Sequence, residues 1–174
     1  MKHLILGGTR SGKSALAERL AQESGLAVVY VATARSLDGE MERRIDAHRQ
    51  RRPSHWQTVE SPLLLAKTLL ESAQPDRCLL VDCLSVWMSN LLVETNEERL
   101  QQEKRDFLLA LSQITGKIIL VSNESGLGIL PLGELTRRYM DEIGILHQQT
   151  ATLCQQVTLV VAGLPLTLKG EGLS

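Results

Sequence analysis

Eight consecutive residues, Gly7-Gly8-Thr9-Arg10-Ser11-Gly12-Lys13-Ser14, carry the spacing of a phosphate-binding loop. Gly7 and Gly12 let the backbone turn tightly and present successive N–H groups. A helix that starts where the turn ends adds the positive end of its dipole. Lys13 supplies a cation for the β- and γ-phosphates, and the Ser14 hydroxyl suits Mg²⁺. Apolar Leu4-Ile5-Leu6 precedes the run and a helical pattern follows it, which is the setting the motif requires. The implied ligand is a nucleoside triphosphate with Mg²⁺. The loop does not say what happens to the nucleotide, because kinases, nucleotidyl-transferring enzymes, motors and GTPase switches all share it.

Two strand ends hold further polar candidates. Leu79-Leu80-Val81 runs into Asp82, whose carboxylate suits the Mg²⁺ side of such a site. Asp82 could instead cap the helix that begins near Ser85. Val121 leads into Ser122-Asn123-Glu124-Ser125-Gly126-Leu127-Gly128, polar side chains that either meet a phosphate or substrate or simply cap a loop. Spacing does not separate those two readings.

The segment Asp38–Pro53 is the most unusual. Met41, Ile45 and His48 fall at i, i+4 and i+7, on one helical face. Arg44 stands one turn before His48 and Arg52 one turn after it, with Arg49 and Arg51 close by. An acidic first half and a basic last turn fit a solvated helix that complements its own dipole. The same residues also fit a histidine set among guanidinium groups. Nearby positive charge favours the neutral, nucleophilic imidazole, and guanidinium groups can grip a triphosphate bidentately. His3, His55 and His147 have no comparable setting in the sequence.

These residues must be positioned by alternating strands and helices. Near-continuous apolar runs predict strands at His3–Leu6, Ala27–Thr33, Arg77–Cys83, Lys117–Asn123 and Val157–Ala162, with a weaker one at Trp56–Glu60. Helices are predicted at Lys13–Glu23, Asp38–Gln50, Pro62–Ser72, Glu97–Ile114 and Leu135–Gln155. The alternation predicts right-handed βαβ units and a mainly parallel sheet flanked by helices. The fold class is therefore α/β, a RecA-like P-loop NTPase fold in a single domain over residues 1–174. Ligands of such a sheet sit at the carboxyl ends of its strands.

Composition narrows the function. The 174 residues carry 19 Lys plus Arg against 20 Asp plus Glu, a balance that speaks against a general nucleic-acid binder. Cys78, Cys83 and Cys154 have no metal-like spacing and read as buried free thiols in a reducing cytosol. The first apolar run is too short for a signal peptide, and no stretch approaches the length of a membrane span. A soluble cytoplasmic protein is expected.

The order of motifs resembles one family along essentially the whole chain. The loop Gly7–Ser14 is followed by Tyr30-Val31-Ala32-Thr33-Ala34. Then come Asp38, Glu40-Met41, Arg44-Ile45, His48-Arg49 and Arg52-Pro53. Trp56, Glu60, Asp82-Cys83-Leu84, Trp87 and Asn90-Leu91-Leu92 continue the pattern. Ser122-Asn123-Glu124, Gly126, Gly128-Ile129, Pro131, Arg138, Asp141 and Gly144 extend it, and Ala162-Gly163-Leu164-Pro165 with Leu168-Lys169 close it. The chain thus resembles the bifunctional adenosylcobinamide kinases / adenosylcobinamide-phosphate guanylyltransferases of cobalamin assembly.

The resemblance implies two steps. Adenosylcobinamide is phosphorylated on its aminopropanol hydroxyl, and GMP from GTP is then joined to that phosphate, with GTP and ATP as nucleotide substrates and Mg²⁺ as the metal. It implies that His48 carries GMP covalently. It places nucleotide contacts at Gly7, Gly8, Thr9, Arg10, Ser11, Gly12, Lys13 and Ser14, at Ala32, Thr33 and Ala34, at Arg49, Gln50, Arg51 and Arg52, and at Glu60 and Asp82. It also implies a homotrimer with nucleotide sites near subunit boundaries. Two departures stand out: the family usually shows Asn in the stretch where this chain has Leu146-His147-Gln148, and Val where it has Ser125. The loop and Asp82 alone also allow a RecA-like motor or nucleotide-gated binding module, and a small-molecule kinase without the guanylyl step is the third reading.

Overall fold

The computed structural model describes residues 1–35, 53–129 and 131–172. The predicted helix Asp38–Gln50, with His48, Arg49, Gln50, Arg51 and Arg52, lies outside the described residues. Seven strands form one sheet: β1 (Lys2–Gly7), β2 (Ala27–Ala32), β3 (Gln57–Glu60), β4 (Arg77–Asp82), β5 (Lys117–Asn123), β6 (Gln156–Val161) and β7 (Leu164–Lys169). Their order across the sheet is β3-β2-β4-β5-β1-β6-β7. All neighbours pair in parallel except β6 and β7. Among the described residues the helices are α1 (Lys13–Gln22), α2 (Leu65–Ser72), α3 (Leu84–Glu94), α4 (Glu97–Gln113) and α5 (Glu134–Leu153).

The central strands are apolar on both faces because both faces are covered. In β4, Leu79 and Val81 join the larger core with α2, α3, α4 and α5, whereas Cys78 and Leu80 join the smaller core with α1. Successive side chains point to opposite faces, so one strand feeds both cores. In α5 the buried positions Ile143, Leu146, His147 and Thr150 follow helical spacing, so this stripe lies against the sheet. Trp87 and Phe107, both fully buried, meet with ring centroids 5.2 Å apart and tie α3 to α4.

Apart from Asp38–Gln50, the predicted strands and helices stand within a few residues of the observed ones. α3 is the helix expected to begin near Ser85, and its extent and the strand β7 were not expected from the sequence. α3 is buried almost all round, so it shows no apolar stripe. β7 contains Pro165, which is tolerated because β7 is an edge strand. Ala162 (φ 52°) and Gly163 (φ 81°) form the two-residue turn into it, with the paired positive φ values of a tight hairpin. Cys78, Cys83 and Cys154 are buried free thiols. No helix among the described residues is long and apolar enough to cross a membrane.

Removing the Phe107 ring should open a cavity between α3 and α4. Phe107→Ala is expected to cost about 3–5 kcal/mol in urea unfolding. A change within error of zero would show that this core does not hold the helices together.

Candidate nucleotide site

Gly7 ends β1 in a place with no room for a side chain. A Cβ there would lie 2.5 Å from Ser11 Oγ and 2.7 Å from the Val160 carbonyl. The chain therefore turns directly over the strand end. Arg10 (φ 56°) and Gly12 (φ 98°) take left-handed conformations within the turn, and Lys13 opens α1. Ser11 N donates to Gly8 O at 3.2 Å, and Gly163 N donates to Ser11 O at 2.8 Å. The β6–β7 hairpin thus clamps the loop from outside. Ser11 Oγ is buried without a hydrogen-bond partner, and an orphaned hydroxyl inside such a turn fits a ligand that completes it.

Lys13 is nearly buried and its Nζ donates to Gly8 O at 3.1 Å. Burial lowers its pKa, while the nearby Cys83 and Asp82 act in the opposite sense. Asp82 closes β4 and its Oδ2 accepts from the Tyr30 hydroxyl at 3.1 Å. The cap residue of α3 is Cys83, and no side chain caps that helix. Of the two readings of Asp82, helix capping is therefore removed. A hydroxyl from Ser14 and a carboxylate from Asp82 are hard oxygen donors, which suits Mg²⁺ shared with phosphate oxygens.

Strand register brings the other candidates to the same edge. Ala32 pairs with Glu60 on one side and with Asp82 on the other. Thr33 and Ala34 follow directly. Thr33 is fully buried: its Oγ1 donates to Cys83 O and accepts from Cys83 N, each at 2.8 Å. Asn90 Nδ2 donates to Thr33 O at 2.9 Å and to Pro62 O at 3.0 Å. Trp87 Nε1 donates to Leu63 O at 2.8 Å. Residues from α3 thereby fix the segments that leave β2 and β3. Gly7, Gly8, Thr9, Arg10, Ser11, Gly12, Lys13, Ser14, Ala32, Thr33, Ala34, Glu60 and Asp82 all stand at the carboxyl ends of parallel strands or in the segments that follow them.

One cluster was not assembled from the sequence. His147, on α5, is buried with Nε2 2.8 Å from Ser122 Oγ. Its Nδ1 faces Glu124 Oε2 at 3.7 Å. Burial lowers the His147 pKa and the Glu124 carboxylate opposes that shift. Glu124 N donates to Gly7 O at 3.0 Å, so this group adjoins the phosphate loop.

Residues 3–168 match the family described as cobinamide kinase / cobinamide phosphate guanyltransferase. The chain is 61% identical over 173 residues to the bifunctional adenosylcobalamin biosynthesis protein CobP of Pseudomonas aeruginosa, with 99% of this chain and 100% of that relative covered. It is 36% identical over 182 residues to the bifunctional adenosylcobalamin biosynthesis protein CobU of Escherichia coli, covering 97% of this chain and 100% of the relative. Among solved structures, the RadB recombinase aligns with a TM-score of 0.53 at 16% identity, over 91% of this chain and 73% of that one. An ATPase of a type III secretion system aligns with a TM-score of 0.55 at 11% identity, over 95% of this chain and 57% of that one. At such identities the likeness concerns the fold alone, and the fold is RecA-like.

Lys13→Ala should keep the fold, since Ala suits the first turn of α1 and only the bond to Gly8 O is lost, and should abolish nucleotide binding by calorimetry. A large drop in melting temperature, or unchanged binding, would show that Lys13 serves the fold and not the ligand.

Proposed function

The chain belongs to the cobinamide kinase / cobinamide phosphate guanyltransferase family, and from that premise we propose that its phosphate loop serves guanylyl transfer through a covalent His48–GMP intermediate. The enzyme is a bifunctional kinase and guanylyltransferase of cobalamin biosynthesis. The observation that carries the nucleotide half of the reading is the turn at Gly7, with Lys13 buried beside Asp82 and Ser11 Oγ left for a ligand.

In the guanylyl step an imidazole nitrogen of His48 attacks the α-phosphorus of GTP. A P–N bond forms, the bond to the β-phosphate oxygen breaks, and pyrophosphate leaves. The phosphate of adenosylcobinamide-phosphate then attacks the same phosphorus and frees His48. Two displacements replace one difficult transfer. The sequence around His48 supports the role: Arg44, Arg49, Arg51 and Arg52 favour the neutral ring and offset charge on the phosphoryl oxygens. Gln50 and Glu60 complete the set of nucleotide contacts. Lys13 holds the triphosphate, while Ala32, Thr33 and Ala34 form a fixed wall at the end of β2. Mg²⁺ would be held by Ser14 and Asp82 and would neutralise phosphate charge.

The kinase step needs positioning and charge stabilisation at the same loop, with ATP or GTP as donor. Residues 1–174 act as one unit in this account, as a cytoplasmic homotrimer whose partners are the nucleotide and the corrinoid substrate, and not nucleic acid. The family resemblance supports the trimer, and the balanced charge speaks against a nucleic-acid partner.

Incubation with α-labelled GTP and Mg²⁺ should label the protein through an acid-labile, base-stable bond. His48→Ala should reduce that label to background and keep kinase turnover. An unlabelled wild type, or equal label on His48→Ala, would end the covalent-histidine account.

A further inference from the structure

Among the described residues, carboxylates close or directly follow the parallel strands at Glu60, Asp82 and Glu124. Glu60 ends β3 at the far edge of the sheet. Asp82 accepts from Tyr30 and acts electrostatically on Lys13. Glu124 has no role in guanylyl transfer, and its backbone is bonded to Gly7, where the phosphate loop begins. It follows β5, the strand that lies between β1 with the phosphate loop and β4 with Asp82.

The Glu124 side chain is held rather than free. Its Oε1 accepts from Gly126 N at 2.7 Å. Its Oε2 faces His147 Nδ1 at 3.7 Å, and the far side of that ring meets the fully buried Ser122. The Glu124 side chain is 21% exposed, against 8% for His147. The carboxylate thus has a buried wall behind it and an accessible side. Ser85 extends the same polar neighbourhood, since Asn123 N donates to its Oγ at 3.3 Å. A surface loop carboxylate has no need of a buried histidine and serine behind it. A carboxylate that must point in one direction does.

We propose that Glu124 is the catalytic base of the kinase step, taking the proton of the acceptor hydroxyl as that oxygen attacks the terminal phosphorus. This rests on the family reading of kinase activity. In the step a new P–O bond forms to the alcohol oxygen, the bond from the γ-phosphorus to the bridging oxygen breaks, and the nucleoside diphosphate leaves. The hydroxyl proton ends on a Glu124 carboxylate oxygen and passes to solvent at the exposed side. Ser122 and His147 act through Glu124 as positioning residues. Guanylyl transfer to His48 needs no alcohol deprotonation, so Glu124 has no role in forming the covalent intermediate.

The two half-reactions therefore separate in Glu124→Gln, which keeps the shape and can still accept from Gly126 N. Kinase kcat should fall about a hundredfold or more, with the extent of labelling from α-labelled GTP and the melting temperature unchanged. In Glu124→Ala, added formate should restore part of the kinase turnover, and it should leave wild-type turnover unaltered. Kinase kcat of Glu124→Gln within a few-fold of wild type would overturn the proposal. So would a loss of labelling equal to the loss of kinase turnover, or Glu124→Ala turnover that formate does not raise. Wild-type kinase turnover tests the family reading separately, because the proposal concerns only the ratio of variant to wild type.

Discussion

The site depends on a missing side chain. β1 lies between β5 and β6, and its apolar residues Leu4, Ile5 and Leu6 are buried. At its end, Gly7 packs so closely against Val160 and Ser11 that a methyl group would overlap both. That closeness lets the chain reverse immediately and aim its N–H groups over the strand end, where they can bind a phosphate alongside Lys13. The Gly163 amide holds the turn by bonding Ser11 O, so the β6–β7 hairpin is part of the loop's support.

Around that fixed point, parallel pairing does the rest. Register sets Ala32 beside both Glu60 and Asp82, and Gly7 beside Asn123. Residues far apart in sequence, such as Gly7 and Asn123, thereby reach one edge. Buried hydrogen bonds then remove the remaining freedom. Thr33 is locked to Cys83 in both directions, and Asn90 bridges the ends of the β2 and β3 segments. Such fully satisfied buried groups rigidify a site, whereas a single unmatched one would cost more than the bond it lost. In the proposed mechanism both half-reactions draw on this preorganised edge.

Much of this was readable in the sequence, for physical reasons. The phosphate loop declares itself because only Gly and Lys at fixed spacing serve that geometry. The parallel strands declare themselves because burial on both faces demands continuous Val, Ile and Leu. Only the start of α3, near Ser85, was legible, because Leu84–Glu94 is buried on most sides and lacks a stripe. β7 escaped because Pro165 breaks a strand pattern everywhere except at an edge. The pairing of His147 with Glu124 and Ser122 could not be seen, since it arises only when α5 packs on β5. The helical spacing Ile143, Leu146, His147, Thr150 was the available signal, for it places a histidine within an otherwise buried stripe.

Binding of GTP with Mg²⁺ to Gly7→Ala, measured by calorimetry beside a melting curve, tests the central claim most directly. The account predicts that the folded variant loses measurable affinity while the wild type binds, because the added methyl forces the turn away from Val160. Affinity equal to wild type in a folded Gly7→Ala protein would contradict it.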